Sequence, residues 1–61
     1  MASPSELFEK AWKAHQANQF REAEELYRQV LEIQPNNERA RKGLEMCRQK
    51  IRAMRGDNFD Q

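Results

Sequence analysis

Residues 14–37 read AHQANQFREAEELYRQVLEIQPNN, and this stretch decides the fold. Its apolar residues recur at steps of three and four, so they line one broad face of a helix: Ala23, Leu26, Tyr27, Val30, Leu31 and Ile33. Asn18 and Gln19 predict a turn before this helix, which we expect over residues 21–34. Pro35 ends it, because proline disfavours the helical conformation of the residue before it and has no N–H to donate. An apolar face this broad must be covered by neighbouring helices on two sides.

A helix is predicted before this stretch, over residues 4–17. Ser3 is a suitable N-cap, Pro4 fits the first turn, and Glu6 lies at the third position of a capping box. Leu7, Ala11 and Ala14 form a narrow apolar stripe along it, and we expect the two alanines to make room for the ring of Tyr27 between the first two helices.

A third helix is predicted from an Asn37 cap to about Arg55. Its apolar positions alternate steps of four and three and form one continuous seam: Ala40, Leu44, Cys47, Ile51 and Met54. Gly56 fits the C-terminal cap, and residues 57–61 are predicted to be a disordered tail.

Composition favours one small helical domain. A chain of 61 residues buries only about 60% of the surface that its unfolded form exposes. Charged residues make up 34% and apolar residues 38%, with two glycines and two prolines, which suits exposed helices. No apolar run is long enough for a membrane span or a signal peptide, so we expect a soluble, cytoplasmic protein.

The net charge of +1 conceals an uneven distribution. Residues 1–36 carry four Lys/Arg and six Glu (−2), residues 37–56 carry seven Lys/Arg and two Glu (+5), and residues 57–61 carry two Asp (−2). The third helix is therefore the basic part. Four of its arginines fall within an arc of about 60° and form a basic stripe: Arg41, Arg48, Arg52 and Arg55. Such a stripe suits nucleic acid or an anionic surface, but the absence of interleaved aromatic residues favours a solvated face.

The pattern of residues 4–37 resembles one tetratricopeptide repeat. The positions that match in type or nearly so are Leu7, Ala11, Ala14, Phe20, Ala23, Tyr27, Val30 and Pro35. Lys10 and Ala14 depart from the larger apolar residues usual there. The resemblance implies an all-α fold: an antiparallel helix-turn-helix repeat and a third, solvating helix, as in a fragment of an α-solenoid. Its parts are an N-terminal segment and cap (1–3), the repeat (4–37), a capping helix (38–56) and the tail (57–61). The third helix also fits the first helix of an incomplete next repeat.

A second stripe on the first helix consists of Phe8, Trp12 and His15, with Gln16 beside it. The resemblance places this stripe on the concave side, where such repeats commonly hold extended peptides. The alternative interpretation is that the aromatic rings fill the core. One subtype of the family grips the acidic C-termini of heat-shock chaperones with Lys and Asn at the positions of Phe8 and Trp12, which argues against that subtype here.

No catalytic or cofactor site is predicted. His15 lacks a nucleophile and an orienting partner at helical spacing, so we expect it to be a surface residue. The single cysteine, Cys47, has no second thiol for a disulfide or a metal site and is expected to act as a small hydrophobe.

Three functions remain open at this point. The leading hypothesis is a non-enzymatic scaffold module that binds a protein or peptide partner. The first alternative is a structural, homodimeric self-assembly unit, natural or engineered. The second is weak binding of nucleic acid or an anionic surface by the third helix, which the solvated-face interpretation disfavours.

Overall fold

A computed structural model describes residues 3–55, with side chains through residue 54. It contains three helices, α1 (Pro4–Gln16), α2 (Phe20–Ile33) and α3 (Glu38–Arg55), and no strand within the described residues. The predicted all-helical class is confirmed, and the helix boundaries agree to within about one residue. Gly56 and the predicted disordered tail lie outside the described residues.

Both predicted side-chain caps are present. The backbone N–H of Glu6 donates to Ser3 Oγ over 3.3 Å at the start of α1. At the start of α3, the N–H of Ala40 donates to Asn37 Oδ1 over 3.0 Å. These bonds satisfy backbone donors that have no partner within the helix, which explains why the two helices begin where they do.

The turn between α1 and α2 depends on Asn18, whose φ of 64° lies in the left-handed region that asparagine tolerates better than most residues. The N–H of Asn18 donates to the carbonyl of His15 over 3.1 Å, and the N–H of Gln19 donates to that of Ala14 over 2.9 Å. This pair of bonds is a Schellman motif, which ends α1 and turns the chain back.

The core lies along α2, which packs against α1 on one side and α3 on the other. Two clefts show how the helices run relative to one another. One is lined by the start of α1 and the end of α2, and the other by the start of α2 and the end of α3. Successive helices are therefore antiparallel. The buried apolar residues are Leu7, Ala11, Ala14, Phe20, Ala23, Tyr27, Val30, Ala40, Leu44 and Cys47.

Tyr27 is only 1% exposed, but its environment differs from the prediction. Its ring meets Phe8 of α1 edge-on and also lies against Gly43 of α3. A Cβ atom at Gly43 would lie 2.7 Å and 2.8 Å from Cε1 and Cε2 of Tyr27, and closer still to Cζ. Thus Gly43 on α3 supplies space for the ring, and Tyr27 joins all three helices rather than only the first two.

The predicted seam of α3 is correct for Ala40, Leu44 and Cys47, which are buried, and Ile51 packs partly against the core. It is wrong for Met54, which is 69% exposed. The reason is a difference in length: α3 has 18 residues and α2 has 14, so α3 is about 6 Å longer. The last turn of α3 lies beside residues 18–22, and Met54 lines a cleft there that is open to solvent.

Gly43→Ala should destabilise the fold. At an unobstructed helix position this change stabilises by about 1 kcal/mol, whereas here the new methyl group overlaps the Tyr27 ring, and overpacking costs about 1–3 kcal/mol. We expect a net loss in the free energy of unfolding, measured by urea titration. Gln49→Ala, an exposed change on the same helix, should stay within about 0.5 kcal/mol of the parent. A more stable Gly43→Ala protein would contradict the contact.

Tyr27→Ala should cost on the order of 3–5 kcal/mol, because it removes a large buried ring. A loss of that size is comparable to the whole stability of so small a domain. We expect the helical circular dichroism signal to lose its cooperative thermal transition. A melting temperature close to that of the parent would show that the ring contributes little to packing.

Candidate binding groove

A groove forms between α1 and α3 because both helices pack on α2 but hardly touch each other. Tyr27 of α2 lies at its floor. The cavity has a volume of about 180 Å³ and is lined by Phe8, Trp12 and His15 from α1, by Tyr27, and by Arg39, Lys42, Gly43 and Met46 from α3. We refer to these eight residues as the groove.

Aromatic rings form the α1 side of the groove. Phe8 meets Tyr27 at a centroid distance of 5.7 Å, and Trp12 meets His15 at 5.6 Å, both edge-to-face. His15 also meets Phe20 at 5.6 Å, which connects the groove to the buried core. These distances are those at which aromatic pairs attract one another. Trp12 lies at the outer end of this series and remains 49% exposed.

His15 is half-buried, and the part that remains accessible lies in the wall of the groove. Its Nδ1 lies 3.4 Å from the hydroxyl oxygen of Tyr27, and the two rings are perpendicular. Burial raises the pKa of the Tyr27 hydroxyl, with a smaller contribution from Cys47, so this group stays protonated at neutral pH and can donate to Nδ1. The contact orients the imidazole at the inner wall of the groove.

The α3 side of the groove is cationic. Arg39 and Lys42 are exposed, Met46 is 47% exposed, and no carboxylate is among the lining residues. The only ion pair among the described side chains joins Arg48 to Glu24 over 3.3 Å, so the two groove cations have no acidic partner there. The groove thus combines an apolar floor with a positive edge.

The structure brings only part of the predicted surfaces together. Phe8, Trp12 and His15 line the groove, whereas Gln16 is exposed and does not. In the basic stripe, Arg41, Arg48 and Arg52 are exposed and none of them lines the groove, and the side chain of Arg55 lies outside the described part.

Sequence reasoning missed the α3 half of the groove. Arg39, Lys42, Gly43 and Met46 recur at steps of three, one and three, which is a helix face beside the buried seam. Gly43 was a usable signal, because glycine inside a helix is costly unless a neighbour needs the space.

Cys47 is fully buried in the seam. Burial raises the pKa of its thiol above the ordinary value of 9.0, and Glu24 nearby adds to the rise. The thiol therefore stays protonated and unreactive at neutral pH, in keeping with its expected role as a small hydrophobe.

Raised pKa values at Cys47 and Tyr27 should make the fold less stable in alkali. A folded-state pKa above the unfolded value means that these groups stabilise the fold fully below the unfolded pKa, here 9.0 and 10.0, and lose that effect as pH rises through the folded pKa. We expect the free energy of unfolding to begin falling near pH 9. In the Cys47→Ala protein, Tyr27 is the one of these two groups that still titrates. The pH at which the free energy of unfolding begins to fall should therefore rise by about one unit. Identical profiles would contradict ionisation of a buried thiol.

Within the described residues, no three His, Cys, Asp or Glu side chains are grouped so that they could hold a metal ion. Nor does that part of the chain contain a helix with the length and apolar character that crossing a membrane requires.

Comparison with known proteins gives no relative: the chain matches no family model, no curated protein and no solved structure.

Proposed function

We propose that the protein is a non-enzymatic interaction module of tetratricopeptide-repeat type, in which the groove binds an extended peptide. The observation that carries this proposal is an apolar groove with one exposed anchor on each wall, Trp12 on α1 and Met46 on α3, beside two cations without a partner among the described side chains. Exposed apolar surface of this kind on a small protein is typical of a contact surface.

The repeat interpretation is supported by burial. Seven of the eight positions that resemble the repeat pattern lie in the core, and Pro35 follows the end of α2. The third helix covers the side of α2 that α1 leaves open, which is the position of a solvating helix. This arrangement leaves one face of α1 and one face of α3 side by side, and those faces form the groove.

The residues that line the groove indicate which peptide side chains it would bind. The apolar lining suits one large apolar side chain, and Arg39 and Lys42 suit acidic residues on either side of it. The aromatic contacts hold Trp12 and His15 in place before any peptide arrives, so less side-chain freedom is lost on binding.

The basic stripe supports nucleic-acid binding less well. Arg48 is engaged with Glu24, and the aromatic residues of the described chain lie in the groove or the core rather than along that stripe. A surface that binds single-stranded nucleic acid by stacking requires cations and aromatic rings side by side.

Peptide binding can be measured through Trp12, the only tryptophan, whose position in the groove makes its emission a direct reporter. We would titrate three synthetic hexapeptides: acidic residues around one Phe, the same with Phe replaced by Ala, and the same with Lys for the acidic residues. We expect the first to bind, and either change to weaken binding by about tenfold or more.

Two double variants provide a matched control. Arg39→Gln with Lys42→Gln should weaken binding of the acidic peptide and its dependence on salt, because both cations line the groove. Arg41→Gln with Arg52→Gln removes the same charge from the same helix outside the groove and should leave binding nearly unchanged. Equal losses in the two variants, or no response of Trp12 to any peptide, would contradict the proposal.

A further inference from the structure

The groove has the size and charge for one particular kind of side chain. Its volume is about 180 Å³, and an apolar cavity of about 150 Å³ holds a benzene molecule. It therefore accommodates a phenyl ring between Trp12 and Met46. The two cations on α3 favour carboxylates close to that ring.

The same chain carries a segment of that chemistry. Beyond α3 the sequence reads GDNFDQ over residues 56–61. Phe59 is the one aromatic residue after residue 27, and Asp57 and Asp60, the only two aspartates of the chain, lie on either side of it in the sequence. The charges are complementary, since residues 37–56 carry +5 and residues 57–61 carry −2.

We propose that residues 57–60 of one copy of this protein bind in the groove of a second copy. The Phe59 ring occupies the cavity beside Trp12 and Met46, and the two aspartates lie near Arg39 and Lys42. This inference rests on the proposed function, because it uses the same groove, and it names the partner as a second copy of the chain.

The short connection to α3 favours the groove of a second copy over the copy's own groove. Gly43 lies twelve residues before Arg55 in α3, so the centre of the groove is about 18 Å back along the helix. Phe59 is four residues beyond Arg55, and four fully extended residues span at most about 14 Å, without any allowance for the reversal of direction. Entry into its own groove would require a fully extended segment that also reverses direction, whereas the groove of another molecule imposes no such restriction, and reciprocal exchange between two copies closes the assembly as a dimer.

Sedimentation over a hundredfold dilution tests the proposal. We expect the parent to pass from monomer to dimer as concentration rises, with a parallel change in Trp12 emission. Phe59→Ala should weaken association by about tenfold or more, and Asp57→Asn with Asp60→Asn should weaken it and reduce its salt dependence. Asn58→Ala, in the same segment, is the matched control and should associate as the parent does.

Mixing experiments test the pairing itself. The Phe59→Ala chain keeps its groove, and the Arg39→Glu with Lys42→Glu chain keeps its C-terminal segment. At the lowest concentration at which the parent is dimeric, each should be mainly monomeric alone, and the two should associate when mixed. Adding Asp57→Lys and Asp60→Lys to the groove double variant should restore self-association by exchanging the charges.

Two results overturn the proposal: a parent that stays monomeric over the whole range, or a Phe59→Ala protein that associates as the parent does. Both are distinguishable from failure of the proposed function, which is measured by the response of Trp12 to added peptides in the monomeric Phe59→Ala protein. If that protein binds the acidic Phe peptide while the parent does not self-associate, the groove is a peptide site and its partner is another protein.

Discussion

The contact between Tyr27 and Gly43 is the constraint on which the rest of the structure depends. The ring extends from α2 past the face of α1 and occupies the space that a side chain on α3 would fill. Glycine costs about 1 kcal/mol inside a helix relative to alanine, and the burial of a whole aromatic ring offsets that cost. Because the ring lies between α1 and α3, those helices hardly touch each other, and a groove remains between them.

Local signals in the sequence were sufficient to predict the helices. Ser3 and Asn37 act through hydrogen bonds only three residues away, and the turn at Asn18 is satisfied by bonds within five residues. Met54 was misplaced because its burial depends on where a different helix begins, and periodicity within α3 contains no such information. The role of Gly43 was missed for a similar reason: its partner, Tyr27, lies on another helix, and no local pattern connects the two.

The candidate site shows the same difference between what local sequence signals predict and what depends on contacts between helices. Helical spacing alone placed Phe8, Trp12 and His15 on one face, and all three line the groove. The opposite wall depends on how α3 crosses α2, which the sequence does not state. The clustered arginines are the most visible charge pattern in the sequence, but clustering of charge marks a solvated face as readily as a site. Arg39 and Lys42 are less conspicuous in the sequence, yet they are the cations that line the groove beside Trp12 and Met46.

The groove also bears on the stability of the domain. So short a chain buries a limited apolar surface, and part of it, at Trp12 and Met46, remains in water. A ligand that binds only the folded chain adds RT ln(1 + [L]/Kd) to the free energy of unfolding, about 2.7 kcal/mol at a hundred times Kd. That contribution is a substantial fraction of the stability expected for a domain of this size. Binding in the groove and the free energy of unfolding are therefore linked. The groove residues that leave apolar surface in water are the same residues through which a partner would bury that surface and stabilise the fold.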